Sequence, residues 1–130
     1  MLTRRSLLAA GVASLAAPAR AQVVTTLGSE AERITILSDG GFTMPLSTLA
    51  RDMPAAEIVA QAGPSDPFRT PVNVTCLRRG SEVILFDCGA GAHFLPGTGQ
   101  LAASLGAAGI DPEAVTHVLF THLHPDHFWG

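Results

Sequence analysis

The sequence predicts an α/β (α+β) fold in which helices pack on a β-sheet. The segment "PVNVTCLRRGSEVILFDCG" has the pattern of two strands around a tight turn, and "HVLF" further along is another short apolar strand. A helical pattern lies between them, so strands and helices alternate along the chain. Such alternation is typical of sheets that carry helices on their faces.

The first 21 residues have the composition of a secretory signal peptide and are set apart from this domain. A basic start precedes an apolar run over residues 7–17, and the pattern "ARA" predicts cleavage after Ala21. The run is too short for a transmembrane helix. The stretch "TRRSLL" favours twin-arginine export, with an ordinary secretory signal as the alternative. We therefore expect a periplasmic or secreted protein whose mature domain begins at Gln22.

The charge of the mature chain argues against nucleic acid and anionic membranes as partners. The chain contains eight basic residues, all of them arginine, and eleven acidic residues. Three of the arginines lie in the predicted signal peptide, so the mature net charge is −6 with histidine neutral. No basic patch is then expected that could bind an anionic surface.

The N-terminal part of the mature chain contains one clear strand pattern. Residues 22–32 are predicted to be a polar lead-in without regular structure. The segment "RITILSDGGF" alternates apolar and polar residues, which indicates a half-buried strand, and its "DGG" predicts a turn. From residue 44 to residue 71 the chain is irregular and proline-rich, with one predicted helix over 54–61 that Gly63 ends. A loop of this length is often part of a pocket wall.

The hairpin segment contains both cysteines of the chain. Its second strand, residues 83–86, is a continuous apolar run, as expected for a strand buried on both faces. Hairpin register places Cys76 opposite Ile84 or Leu85. The other cysteine, Cys88, lies too far along the partner strand for a disulfide, so both thiols are predicted to be free even in an oxidising compartment.

A helix and a short strand follow the hairpin. The helix is predicted over residues 99–108, with Leu101 and Leu105 on its buried face and Gly109 after its end. Asp111 is predicted to cap a further short turn. The strand "HVLF" then runs directly into "THLHPDH". The carboxyl end of a buried strand is where open α/β sheets place their ligand sites.

Four potential metal ligands lie within six residues after this strand. His122 and His124 are two residues apart, so on an extended backbone both side chains point to the same side. Pro125 turns the chain, and Asp126 and His127 are then presented in a different direction. Imidazole and carboxylate groups suit zinc and neighbouring first-row metals. Two ligands on each of two sides favour two adjacent metal sites, and the alternative is a polar surface loop.

The HxHxDH pattern that starts at His122, preceded by an apolar strand and a threonine, resembles the signature of the metallo-β-lactamase-fold metallohydrolases. The segments "ITILSDGGF", "VILFDCGAG" and "LAASLGAAGIDPEAVTHVLFTHLHPDH" are similar in order and spacing to the branch that includes methyl parathion hydrolase and related lactonases. The resemblance covers about residues 33–130. It implies the N-terminal half of an αββα sandwich.

The resemblance implies a role for each side chain of the site. His122 and His124 would bind the first of two divalent metal ions, with Zn²⁺ as the expected metal. Asp126 and His127 would bind the second ion, and Asp126 would also be catalytic through it. Asp87, at the end of its strand, would orient the histidine loop from beneath the site.

The implied activity is hydrolysis of small-molecule esters and lactones by a metal-bound hydroxide, with organophosphate triesters as a further substrate class. The alternatives are a metallo-β-lactamase or thioester hydrolase, an iron-dependent redox enzyme of the same fold, and an inert binding fragment. Di-iron relatives carry glutamate where His124 stands, which counts against the iron enzyme. A homodimer is compatible with the resemblance.

The resemblance also predicts that these residues hold only part of a site. In the related fold a third histidine for the first metal, a bridging carboxylate and a further histidine all come from the second half. Residues 22–130 are therefore expected to be the N-terminal portion of a longer domain, and the fragment alone is expected to be inactive.

Overall fold

The computed structural model describes residues 23–63 and 67–130, so the predicted signal peptide lies outside the described residues. A five-stranded sheet of order β1-β2-β3-β4-β5 forms the centre, and it confirms the predicted mixed fold. Strands β1 to β4 pair antiparallel, and β5 runs parallel to β4. The strands are β1 (Val23–Gly28), β2 (Glu32–Met44), β3 (Phe68–Arg79), β4 (Glu82–Phe86) and β5 (His117–Leu119). The helices are α1 (Leu46–Leu49), α2 (Ala55–Ala62), α3 (Leu101–Ala107) and α4 (Pro125–Phe128), with a 3₁₀ turn at Pro112–Ala114.

The prediction of an unstructured lead-in over residues 22–32 is wrong. Residues 23–28 form β1 and pair with β2 along the edge of the sheet. The sequence of β1, VVTTLG, does not alternate apolar and polar residues, and every residue of the strand is exposed. Its β-branched residues were the available signal, because they favour extended structure.

The predicted turn at "DGG" is also wrong, because β2 continues through it. The register between β2 and β3 shifts between Ser38 and Gly40, which marks a β-bulge. Gly40 has a φ of 98°, and a side chain there would collide with the backbone of Gly97. Glycine therefore continues the strand at this position in a conformation that other residues rarely adopt. The bulge directs the side chain of Asp39 into the interior, where it is fully buried.

One face of the sheet is covered by α3, as the helical pattern predicts. The buried cluster consists of Leu37, Val74, Cys76, Leu85, Leu101, Leu105 and Ile110. Full burial of such a side chain contributes about 1.5–3 kcal/mol to stability. The chain turns at Gly109, and the amide of Glu113 donates to Asp111 Oδ1 at 3.0 Å, so the predicted cap is confirmed.

The opposite face of the sheet is only partly covered. Strand pairing aligns two rows across it, Leu27, Ile34, Leu77, Ile84 and His117 in one and Thr25, Ile36, Thr75, Phe86 and Leu119 in the other. All of β5 is exposed, and Phe86 in β4 is 36% exposed. The predictions that β4 is buried on both faces and that β5 is a buried strand are therefore wrong for the described chain.

The remaining local predictions are confirmed, except that the stretch from residue 44 to residue 71 is more regular than predicted: it contains α1 as a second helix, and β3 begins already at Phe68. Cys76 pairs with Leu85 across the hairpin, and both cysteines are free thiols. The predicted helix over 54–61 is α2, with Pro54 before its first residue and Gly63 after its last. Helices α1 and α2 enclose a cavity of about 130 Å³, and none of the four predicted metal ligands lines it. Within the described ranges no helix is long and apolar enough to cross a membrane.

Candidate metal centre

Parallel pairing of β4 and β5 brings the predicted site residues to one edge of the sheet. Asp87 directly follows β4, and the histidine loop follows β5. The amide of Asp87 donates to the carbonyl of Leu119 at 2.8 Å, which ties the two strand ends together. The carboxylate of Asp87 therefore starts next to the loop that it is predicted to orient.

Asp87 is buried and holds a left-handed backbone conformation, with a φ of 66°. This conformation costs a non-glycine residue about 1–2 kcal/mol and is therefore retained only where the surroundings require it. Thr121 donates to Asp87 Oδ1 from its amide at 2.8 Å and from its hydroxyl at 3.0 Å. Nδ1 of His127 lies 2.8 Å from Asp87 Oδ2. One carboxylate thus bonds both ends of the histidine loop.

The pKa of Asp87 lies below its usual value. Burial has the largest single effect and raises this pKa, but the hydrogen bonds from His127 and Thr121 together outweigh it. Because an ionised carboxylate can only accept hydrogen bonds, Nδ1 of His127 carries the proton in this pair. In the neutral imidazole, Nε2 of His127 then keeps a free lone pair, as a metal ligand requires.

His122 and His124 form one pair of donors. Nε2 of His122 lies 3.0 Å from Nδ1 of His124, in keeping with two side chains on the same side of an extended backbone. The hydroxyl of Thr121 lies 3.0 Å from Nδ1 of His122, on the other side of that ring. Two nitrogen ligands of a tetrahedral zinc ion lie about 3.3 Å apart, given Zn–N bonds of about 2.0–2.1 Å. The observed separation is close to that value.

Asp126 and His127 form a second pair at the start of α4. Pro125 is the first residue of this helix, a position that suits proline because its missing N–H is not needed there. Nε2 of His127 lies 3.5 Å from Oδ2 of Asp126. The ring centroids of His122 and His127 are 4.0 Å apart, so the two donor pairs lie side by side.

The donor chemistry fits two divalent ions, and each pair has the spacing of neighbouring ligands. Each pair nevertheless supplies two donors, whereas a catalytic zinc ion has three protein ligands. Among the residues that the structure describes, no group of three or more His, Cys, Asp or Glu side chains is arranged to hold a metal ion. A catalytic zinc ion at either pair would therefore need at least one further protein ligand beyond the two of that pair.

Thr121 is a site residue that the sequence pattern did not predict. Its hydroxyl contacts both carboxylate oxygens of Asp87, at 3.0 and 2.9 Å, as well as Nδ1 of His122. The available signal was its position directly before the first histidine, at the end of β5. Asp39, which bonds the turn after Asp87, was missed as well, because it was assigned to a turn.

Residues 67–130 match the family model of the metallo-β-lactamase superfamily. Together with the solved structures below, this match shows that the chain belongs to the metallo-β-lactamase superfamily. It is also similar to ribonuclease Z of Methanothermobacter thermautotrophicus, with 41% identity over 54 residues. That alignment covers 42% of this chain and 15% of the ribonuclease.

Three solved structures are similar to the described fold. AidC, a dizinc quorum-quenching lactonase in complex with the product N-hexnoyl-L-homoserine, has a TM-score of 0.72 and 26% identity over 83% of this chain and 38% of its own. The hydrolase AbOPH of the β-lactamase superfamily has a TM-score of 0.69 and 31% identity, over 78% of this chain and 36% of its own. The third is a probable metal-dependent hydrolase from Staphylococcus aureus, with a TM-score of 0.64 and 18% identity over 78% of this chain and 41% of its own. At this low identity the likeness supports the fold and not a shared activity.

These comparisons confirm the predicted superfamily and its fold. The chain spans well under half the length of each of these relatives. The expectation that nucleic acid is not a partner gains no support, because one relative is a ribonuclease. The roles of the individual side chains stay predictions.

Proposed function

We propose that the chain is part of a metal-dependent hydrolase that cleaves small-molecule esters and lactones, with organophosphate triesters as a further substrate class. The observation that carries this proposal is the pair of donor sets, His122 with His124 at 3.0 Å and Asp126 with His127 at 3.5 Å. The likeness to the lactonase AidC and the hydrolase AbOPH, at 26% and 31% identity, supports the choice of substrate class.

The chain's own residues would hold and orient the ligands. His122 and His124 would bind one Zn²⁺ ion, and Asp126 and His127 a second. When bound, such ions supply Lewis acidity and an activated water molecule. Asp87 favours the tautomer of His127 that carries its proton on Nδ1 and leaves Nε2 unprotonated. The hydroxyl of Thr121 bridges Asp87 and His122. This arrangement fixes the ligands before any metal binds, which lowers the entropic cost of binding.

We further propose that residues 22–130 form the N-terminal half of an αββα sandwich. Supporting this, the sheet face opposite α3 carries exposed apolar residues, including Ile34, Phe86 and Leu119. A contiguous apolar patch that is exposed and larger than a few hundred Å² normally marks an interface. The solved relatives are about twice as long as this chain, which leaves room in them for a second layer. That layer would also supply the missing metal ligands.

We also propose that the protein is exported. The support is the sequence of residues 1–21, which has the basic start, apolar run and small-residue cleavage pattern of a signal peptide.

The test uses the purified full-length protein with three substrates, an N-acyl homoserine lactone, an aryl phosphotriester and a β-lactam. We expect about two Zn²⁺ ions per chain by elemental analysis, and lactone hydrolysis that a chelator abolishes and added Zn²⁺ restores. Asp126→Ala serves as the inactive control. Iron in place of zinc would favour the redox alternative, and metal-loaded protein that cleaves none of the three substrates would refute the proposal.

Ribonuclease activity is a second candidate because of the 41% identity to ribonuclease Z. The mature net charge of −6 disfavours an RNA substrate, since phosphate contacts require basic side chains. A structured RNA is therefore added as a fourth substrate. Cleavage of RNA without lactone hydrolysis would replace the first proposal with this one.

A further inference from the structure

Asp39 is a fully buried acidic residue to which the proposed chemistry gives no role. It lies in the bulge of β2. Its Oδ2 accepts a hydrogen bond from the amide of Ala90 at 2.8 Å, and its Oδ1 accepts one from the amide of Leu101 at 2.8 Å. Burial of a carboxyl group is costly unless such bonds satisfy it, so the position of Asp39 is tightly defined.

The two amides belong to different parts of the chain. Leu101 is the first residue of α3, and Ala90 lies in the turn that begins at Asp87. The carbonyl of Asp39 also accepts a bond from the amide of Gln100 at 3.2 Å. Asp39 therefore joins the β2 bulge, the start of α3 and the turn after β4, which we call the 88–90 turn.

The 88–90 turn is bonded on its other side to the segment that contains α4. The amide of Cys88 donates to the carbonyl of His127 at 2.8 Å, and the amide of Gly130 donates to the carbonyl of Gly89 at 3.1 Å. Gly89 also forms a parallel bridge with Phe128. The turn thus lies between Asp39 and the helix that carries the second donor pair.

Contact between Asp39 and the turn is close. Gly89 has a φ of 79°, and a Cβ atom there would lie 2.7 Å from Cγ of Asp39. A contact below about 3 Å between such atoms requires one of them to move. The turn therefore has no room for a side chain at Gly89 beside Asp39, and two hydrogen bonds connect it to the segment of α4 on its other side.

We propose that Asp39 is a positioning residue for the Asp126–His127 donor pair. Its carboxylate fixes the 88–90 turn, and the turn fixes α4 through the carbonyl of His127. This inference rests on the proposed function of that pair as metal ligands. The His122–His124 pair depends less on Asp39, because Thr121 connects that part of the loop to Asp87.

The first test needs no metal. Hydrogen exchange at the amides of Cys88 and Gly130 is measured by NMR in the full-length protein and in Asp39→Asn. The asparagine keeps the size of the side chain but must turn an NH₂ group towards one of the two amides. We expect exchange at both amides to accelerate by about tenfold or more, as for loss of a buried bond to a charged acceptor. Asp111→Asn is the matched control, since Asp111 accepts a backbone bond in the 3₁₀ turn instead.

The second test titrates the metal-free proteins with Co²⁺ and follows its visible spectrum. Wild-type protein and Asp111→Asn should bind two Co²⁺ ions. In Asp39→Asn one ion should bind as before, whereas the affinity for the other should fall by about tenfold or more and its bands should shift. A residue that acts on global stability alone would lower the melting temperature and leave the Co²⁺ spectrum of the folded protein unchanged.

The outcomes separate the two proposals. Wild-type protein that binds no second Co²⁺ would refute the proposed function itself. Two bound ions with unchanged exchange and spectrum in Asp39→Asn would overturn the role of Asp39. If Asp39→Asn does not fold, Gly89→Ala is used, because its added methyl group would collide with the carboxylate of Asp39. This variant should show the same faster amide exchange and the same weaker binding of one Co²⁺ ion. Failure of both variants to fold would assign Asp39 to global stability and would also overturn the inference.

Discussion

Oδ2 of Asp87 lies 2.8 Å from Nδ1 of His127, across 40 residues of sequence. This contact joins the end of β4 to the helix that follows β5. It also selects the tautomer of His127 and leaves Nε2 of that ring facing Asp126. The strained backbone of Asp87 is thus explained by the position that its carboxylate must reach.

The first prediction concerns this contact. Asp87→Asn should lower the affinity of the full-length protein for Zn²⁺ by about 10–100-fold, because an amide neither fixes the tautomer of His127 nor raises its basicity. Competition with a chromophoric chelator measures the affinity, and Asp111→Asn is the control. Equal affinities in the wild-type and Asp87→Asn proteins would show that the contact does not serve the metal.

The second prediction separates the two donor pairs. Asp126→Ala should remove a ligand of one ion while His122 and His124 keep the other, so the Zn²⁺ content should fall from about two per chain towards one. Hydrolysis should fall by orders of magnitude, because both ions act on the reacting centre. Elemental analysis and lactone turnover measure the two effects.

His122→Ala is the companion variant for this prediction. It should weaken the other ion and leave the ligands Asp126 and His127 in place. A double variant that lost no more metal than either single variant would contradict the assignment of the two pairs to two ions.

The third prediction uses the difference in burial between the two thiols. Cys76 is fully buried, and Cys88 is partly exposed. Burial raises the pKa of both thiols, which lowers the fraction of reactive thiolate. In native protein a small alkylating reagent should label Cys88 well before Cys76. Denaturation without reduction should then expose two free thiols by mass spectrometry, and a linked peptide pair would contradict the hairpin register.

The parts of the fold that were predicted correctly are those in which one local sequence pattern decides the structure. Leu101 and Leu105 lie on one face of α3 because helical spacing and burial agree, and Cys76 pairs with Leu85 because a tight turn sets the register. The histidine cluster was equally clear, because its residue types have few structural uses in that density.

The errors have a common physical origin. At Gly40 the "DGG" segment has the composition of a turn, yet the long partner strand β3 keeps β2 extended, and the extra residue becomes a bulge. The fully exposed strand β1 forms because it pairs with β2, a long-range contact that the sequence of residues 23–28 does not show by itself. The hydrogen-bond partners of Asp39 lie 51 and 62 residues away along the chain, and the partner of Thr121 lies 34 residues away. Contacts at such separations are visible only in the three-dimensional structure.

The fourth prediction concerns export. Cells that express the full gene should contain mature protein that begins at Gln22 outside the cytoplasm. Replacement of both Arg4 and Arg5 by lysine should retain the precursor inside, because the twin-arginine pair is the recognised feature of that route. Fractionation followed by N-terminal sequencing measures both results. Undiminished export of the lysine variant would exclude the twin-arginine route while leaving an ordinary secretory signal.

The last prediction tests whether a second layer covers the sheet. Ile34 lies in an apolar row on the face opposite α3 and is 41% exposed, and Val59 on α2 has nearly the same exposure at 42%. If a second sheet covers that face in the full-length protein, Ile34→Asp buries an unpaired charge, whereas Val59→Asp leaves its charge in water. The first variant should then lose several kcal/mol of unfolding free energy and the second less than about 1 kcal/mol.

Chemical denaturation of the full-length protein measures both free energies. In a chain that ends at residue 130, the same face stays in water, so Ile34→Asp should cost little there and should reduce aggregation. The decisive quantity is the loss of unfolding free energy caused by Ile34→Asp in the full-length protein minus the loss in the short protein. This subtraction removes any local effect of the substitution on β2. Equal costs for Ile34→Asp in the two proteins would mean that nothing packs on this face, and the proposal of a half sandwich would then be wrong.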